Sequence, residues 1–253
     1  ETKKDIKAVS LVPKFMKKKR PPKEAHIPTG PTPDFPLTKE VIALVLNGFL
    51  IMYAFGTETI YAVFIKDAFG YGEVVLSCLF AVNGLLMGLF QVFLIKPLIG
   101  RIGQHTTLAL GNLLLALGML GLAVARDKVL HFALFSCHIL GYSIADTALV
   151  SLVSRYSAPS SQGRDLALNQ AAQACARIFS PLVAGLLYER SKMNIMSGKA
   201  LLPLGALPFI AGGLCPLVAV VIPALLHARK VSIAPRATRP TAVAESSDNG
   251  TVK

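Results

Sequence analysis

LNQAAQACARIFSPLVAG, Leu168 to Gly185, is small and apolar almost throughout, yet it carries Asn169, Gln173 and Arg177 at steps of four. Residues three or four apart share a helix face. The three therefore form one polar stripe, with Gln170 beside it, while Ala172, Ile178, Phe179 and Leu182 make up the other face. If this segment crosses a bilayer, an arginine at its middle costs at least ~2.5–3.5 kcal/mol and must face protein, water or a partner. The stripe is then either the wall of a water-filled cavity or a buried polar seam that holds helices together.

Composition supports the bilayer. Of 253 residues, 53% are hydrophobic and only 16% are charged, against roughly 25% charged in ordinary soluble domains. Mean hydropathy is +0.56. The formal net charge is +12, and Lys17-Lys18-Lys19-Arg20 has the look of a nucleic-acid patch. Basic residues just ahead of a hydrophobic span are the orientation signal of membrane proteins, so no nucleic-acid partner is expected. Cys78, Cys137, Cys175 and Cys215 fall in apolar runs without metal-ligand spacing and read as small buried hydrophobes. No nucleophile elbow, phosphate loop, zinc helix or dinucleotide fingerprint is present. The expectation is therefore no enzyme, no metal and no cofactor beyond coupling to H+.

Six apolar segments follow one another at about 41–65, 74–95, 106–125, 129–153, 166–188 and 200–226. Each is long enough to cross ~30 Å of hydrocarbon as a helix, which takes about 20 residues, and too long for membrane strands, which run about 9–11. The fold class is all-α, a polytopic six-helix bundle over 41–226. Residues 1–40 read as a basic, proline-containing cytoplasmic linker and 227–253 as a disordered cytoplasmic tail. On the side shared by both termini the connecting segments hold 19 of the 26 Lys and Arg, against six on the other. The positive-inside rule puts both termini in the cytoplasm.

Five ionisable residues lie inside the spans: Glu58, His131, His138, Asp146 and Arg177. His131 stands near a span end, at the interface. At 1.5 Å per residue, Arg177 lies roughly 17 Å above the cytoplasmic start of its helix, Asp146 roughly 11 Å and Glu58 roughly 25 Å. The short connection 154–165 makes the fourth and fifth spans antiparallel neighbours, so Asp146 is the expected partner of Arg177, with solvation of the arginine in a cavity as the alternative. Glu58, Asp146 and His138 are candidate proton carriers, since intramembrane carboxylates and imidazoles serve as relays. Against this, Glu58 can be a water-bathed outer residue, and His138 can be bonded to a backbone carbonyl. Asn83 is a candidate cavity contact beside Gly84-x-x-x-Gly88, a spacing that suits close helix packing. Pro203, Pro208, Pro216 and Pro223 should bend the sixth span, which reads as a peripheral, lipid-facing support.

The chain resembles the carboxyl-terminal half of a major facilitator superfamily transporter. The likeness rests on six spans behind a basic linker and on three patterns. KPLIGRIGQHTTL, Lys96 to Leu108, is similar to the second copy of the family's loop motif, with Arg101 and Gly103 in place and Gly100 at the aspartate position. ARIFSPLVAGLLYE, Ala176 to Glu189, is similar to the family's eleventh span, and TETIYAVFIKDAFGYGEV, Thr57 to Val74, to the exit of its seventh. Within the family the likeness is to proton antiporters of the multidrug and tetracycline type. The resemblance implies alternating access, a cavity faced by the first, second, fourth and fifth spans, and a gating role for the Arg101 and Gly103 loop. It also implies a small-molecule substrate, surrounding lipid, and a missing amino-terminal six-helix half or a second copy of this chain. The alternatives are a non-transporting scaffold or receptor and an uncoupled facilitator.

Overall fold

Among the described residues, six helices long and apolar enough to cross a membrane stand where the apolar runs do. The computed structural model describes residues 37–196 and 203–228. The expected basic linker, apart from its last four residues, and the tail from residue 229 lie outside the described residues.

Thr38 caps the first helix, its hydroxyl accepting from the Val41 N–H at 3.4 Å. That span runs from α1 (Lys39–Gly56) through a 3-10 turn (Thr57–Ile60) into α2 (Tyr61–Phe69). The second span is α3 (Glu73–Phe93); a short helix α4 (Ile95–Ile102) follows inside the segment read as a loop. Gly103, at φ 80°, turns the chain from α4 into α5 (Gln104–Val124), a conformation that favours glycine. The fourth span is α6 (Lys128–Tyr156) and the fifth α7 (Gln162–Met196), whose 35 residues run past both ends of the expected segment. The sixth span is two pieces, α8 (Ala206–Ala219) and α9 (Val221–Ala228).

Alpha-5 and α6 form the tightest pair. Gly111 and Gly118 let their backbones meet: a Cβ on Gly118 would stand 2.7 Å from the His138 nitrogen, and one on Gly111 2.5 Å from that of Ala145. Alpha-1 lies against α6, α7 and α8. Alpha-3 is different, since Val82, Leu85, Leu89, Val92 and Phe93 are exposed and Asn83 alone is buried. Added side chains at Gly84 and Gly88 would meet nothing, so the close packing expected at that pair is not made among the described residues. The cysteines also depart from expectation: Cys78 and Cys175 are exposed and Cys137 and Cys215 half-buried. Lipid tails are as apolar as a protein core, so an apolar run does not say which of its residues the protein covers.

The prolines do break the sixth span. Pro223 has no N–H to give the Ala219 carbonyl, and the helix stops at Ala219 and restarts at Val221. The carbonyl is met from α1 instead: Asn47 Nδ2 donates to it at 2.8 Å. Asn47 Oδ1 in turn accepts from Asn112 Nδ2 of α5 at 3.4 Å. One face of the span, with Pro208, Phe209, Pro216 and Pro223, is buried in the bundle, while Leu214, Val218 and Val221 remain exposed.

Replacing Asn47 by Leu leaves that buried acceptor unmet, at a cost of about 1–3 kcal/mol. The expected readout is a lower thermal midpoint of the detergent-solubilised protein and faster amide exchange around Val220 to Leu226. An unchanged midpoint counts against the bond.

Candidate functional site

The break in the first span is held open by a clasp. In the 3-10 turn the hydrogen bonds are poorer than in an α-helix: the Thr57 N–H is shared among the Tyr53, Ala54 and Phe55 carbonyls, and the Tyr53 carbonyl takes side-chain donors as well. Ser180 Oγ of α7 donates to it at 2.6 Å and Thr57 Oγ1 at 3.1 Å, the two hydroxyls lying 3.2 Å apart. A Cβ on Gly56 would stand 2.9 Å from Ser180 Cβ, so α1 and α7 touch directly here. Beside the clasp opens a cleft of about 810 Å³, lined by Phe55, Gly56, Glu58, Thr59, Ala62, Phe80, Arg177 and Pro181. The break turns Glu58 toward it from one helix, and α7 brings Arg177 from another.

The polar stripe of α7 divides. Asn169 is fully buried and Gln173 is 3% exposed, whereas Arg177 is exposed on the cleft. Asn169 packs on Gly48 of α1, and neither end of its amide has a partner among the described residues. Asn169 and Gln173 thus belong to the helix seam, Arg177 to the wall, and Gln170 to an exposed face. The expected pairing of Arg177 with Asp146 is not made. Gln173 Nε2 donates to Asp146 Oδ1 at 3.0 Å, while Arg177 Nε approaches Met52 Sδ at 3.2 Å and its guanidinium lies beside Tyr142. Depth explains the exchange: Gln173 sits roughly 11 Å above the start of its span, level with Asp146 and one turn below Arg177.

The other expected residues scatter. Glu58 Oε2 is shielded from solvent with no hydrogen-bond partner among the described residues, a position suited to a proton or to a donor from elsewhere. His138 is fully buried and stacks on Phe55 at 6.0 Å. It makes no side-chain bond to Asp146, and neither ring nitrogen has a well-formed hydrogen bond among the described residues. Asn83 Nδ2 donates back to the Leu79 carbonyl at 2.9 Å. Arg101 is exposed beside Gly103 near the end of the bundle that carries residues 39 and 228.

Some surroundings were not found from sequence. His131, near the start of α6, does not face outward. It is fully buried in an aromatic cluster, with Tyr61 Oη 3.1 Å from its Nδ1 and the Phe64 ring at 4.9 Å. Phe55 and Phe80 supply the cleft's apolar wall, and nothing in an apolar run distinguishes an aromatic that faces a cleft from one that faces lipid. At the far end Asp67 of α2 accepts from Tyr188 Oη at 2.9 Å and lies 3.5 Å from Lys192 Nζ, so α2 is tied to α7.

An all-helical membrane bundle whose first and fifth spans frame a charged cleft has the build of a solute carrier. The Major Facilitator Superfamily matches residues 44–247. The chain belongs to that family, whose members are membrane transporters. Among curated proteins none matches it. Among solved structures it is similar to the human organic anion transporter MFSD10 (TETRAN), at 20% identity and a TM-score of 0.63. The likeness covers 75% of this chain and 42% of that one, so this chain spans less than half of MFSD10, and at this identity the likeness shows the fold alone.

The clasp gives a measurable expectation. Thr57→Val with Ser180→Ala strips both side-chain donors from the Tyr53 carbonyl and should lower stability by about 1–3 kcal/mol. Ser180→Ala alone should cost about 0.5–1.5 kcal/mol. Thermal unfolding in detergent reads both, and equal midpoints for the double variant and the parent would dismiss the clasp.

Proposed function

We propose that this chain is one half of a secondary transporter that moves a small organic anion, a metabolite or drug, by alternating access in exchange for protons. Arg177 carries the reading. It is a guanidinium on the wall of a cleft of about 810 Å³, and it forms no ion pair with a carboxylate among the described residues. A planar guanidinium offers a fork of donors that matches a carboxylate or phosphate group. Phe55 and Phe80 on the same cleft offer apolar surface to a solute's body. An amphipathic anion uses both features, and the description of MFSD10 as an organic anion transporter is in line with that class.

Glu58 is the first candidate for the coupling proton, because it shares the cleft with Arg177 and its shielded oxygen has no donor among the described residues. Asp146, engaged by Gln173, is the second, and His138 the third. In this reading the opposite wall comes from an amino-terminal six-helix half or from a second copy, lipid covers the outer faces, and both termini face the cytoplasm. The exposed Arg101 and Gly103 connection would serve as the gating loop on that side.

Two substitutions in the complete transporter, reconstituted in vesicles, test this. Arg177→Ala should lower kcat/KM for an organic anion at least about tenfold, the equivalent of about 1.4 kcal/mol of lost binding, with membrane insertion intact. Unchanged uptake would reject the assigned role. Glu58→Gln should keep anion exchange but lose the response to an imposed pH gradient; a variant still driven by the gradient would move the coupling elsewhere.

A further inference from the structure

We infer that Gln173 is a positioning residue that keeps Arg177 available to solute by occupying the Asp146 carboxylate. This rests on the reading of Arg177 as the anion's partner. The two charges belong to neighbouring helices, and Arg177 stands one turn along α7 from Gln173, the residue that bonds to Asp146. They form no ion pair among the described residues. What stands between them is an amide: Gln173 Nε2 donates to Asp146 Oδ1 at 3.0 Å from a side chain that is only 3% exposed.

A buried amide cannot swing away easily, because its lost hydrogen bond would not be replaced by water. Asp146 therefore has a fixed donor at its own depth. Arg177, one turn further along, is left with Met52 Sδ at 3.2 Å and the neighbouring Tyr142. A thioether is a weak acceptor and yields to a carboxylate or phosphate on a solute. If Gln173 could not donate, the carboxylate would hold an unmet charge in a half-buried place. The cation nearest in depth is Arg177, and its long side chain spans a single turn. The pair would then close, and the cleft would lose its unpaired positive charge without any residue of its wall being changed. Three polar residues at steps of four thus have separate tasks: Asn169 fills a seam, Gln173 occupies a carboxylate and Arg177 faces the cleft.

The test needs no solute, so it can fail independently of the transport reading. Phenylglyoxal condenses with guanidinium groups, and a carboxylate partner slows it. The full-length protein in membranes is treated with phenylglyoxal, and the peptide carrying Arg177 is followed by mass spectrometry. Gln173→Met, close to glutamine in shape, should slow modification at least about fivefold, the factor that an ion pair of modest strength gives. Adding Asp146→Asn, which has no charge to pair, should restore the parent rate, and Asp146→Asn alone should leave it unchanged. A parent rate in Gln173→Met overturns the proposal. So does a slow rate that persists in the double variant, since that would reflect repacking. Gln173→Leu repeats the series with a different shape and guards against a folding defect peculiar to Met.

Discussion

Hydrocarbon offers nothing that can bond to a backbone carbonyl or N–H, so each must find its partner inside the protein. Helices meet most of that demand along their own length, and at two interruptions among the described residues side chains are supplied as well. Pro223 frees the Ala219 carbonyl, and Asn47 takes it up. At the 3-10 turn after Gly56 the Tyr53 carbonyl has only a shared backbone donor, the Thr57 N–H, and the Ser180 and Thr57 hydroxyls add to it. Both repairs involve α1, which lies against α6, α7 and α8. The same helix thus supplies polar groups at both places and packs against three neighbours.

The second break matters for function. An unbroken α-helix would carry the first span straight past the fifth. The tighter turn re-aims the side chains after Gly56 and puts Glu58 and Thr59 on the cleft. Ser180, the residue that closes the clasp, is flanked in α7 by Arg177 one turn before and Pro181 directly after, both on the same cleft. The contact that repairs the backbone therefore also fixes where the charged wall stands.

Outer faces follow a different rule. The exposed valines and leucines of α3, the open glycines at Gly84 and Gly88, and the exposed Cys78 and Cys175 lie on surfaces that the described residues do not cover. In a bilayer such surface carries no penalty, because lipid and a helix neighbour are equally apolar.

The sequence by itself determined that the chain is helical, crosses a membrane six times and carries scarce charges that need protein or water around them. Hydropathy and length decide those matters, and both are local. It placed Glu58 and Arg177 among the residues to watch, because an ionised group in an apolar run stands out wherever it points. Only the tertiary structure decided the partners. A step of four residues overshoots a full turn by about 40°, so a stripe that begins at Asn169 in the seam has rotated onto the cleft by Arg177. Asp146 goes to the amide at its own height and not to the opposite charge one turn away. Phe55, Phe80, the Asn47 bond to Ala219 and the buried His131 with Tyr61 were not legible, because each depends on which faces two distant segments turn to one another, and a uniformly apolar pattern holds no record of that.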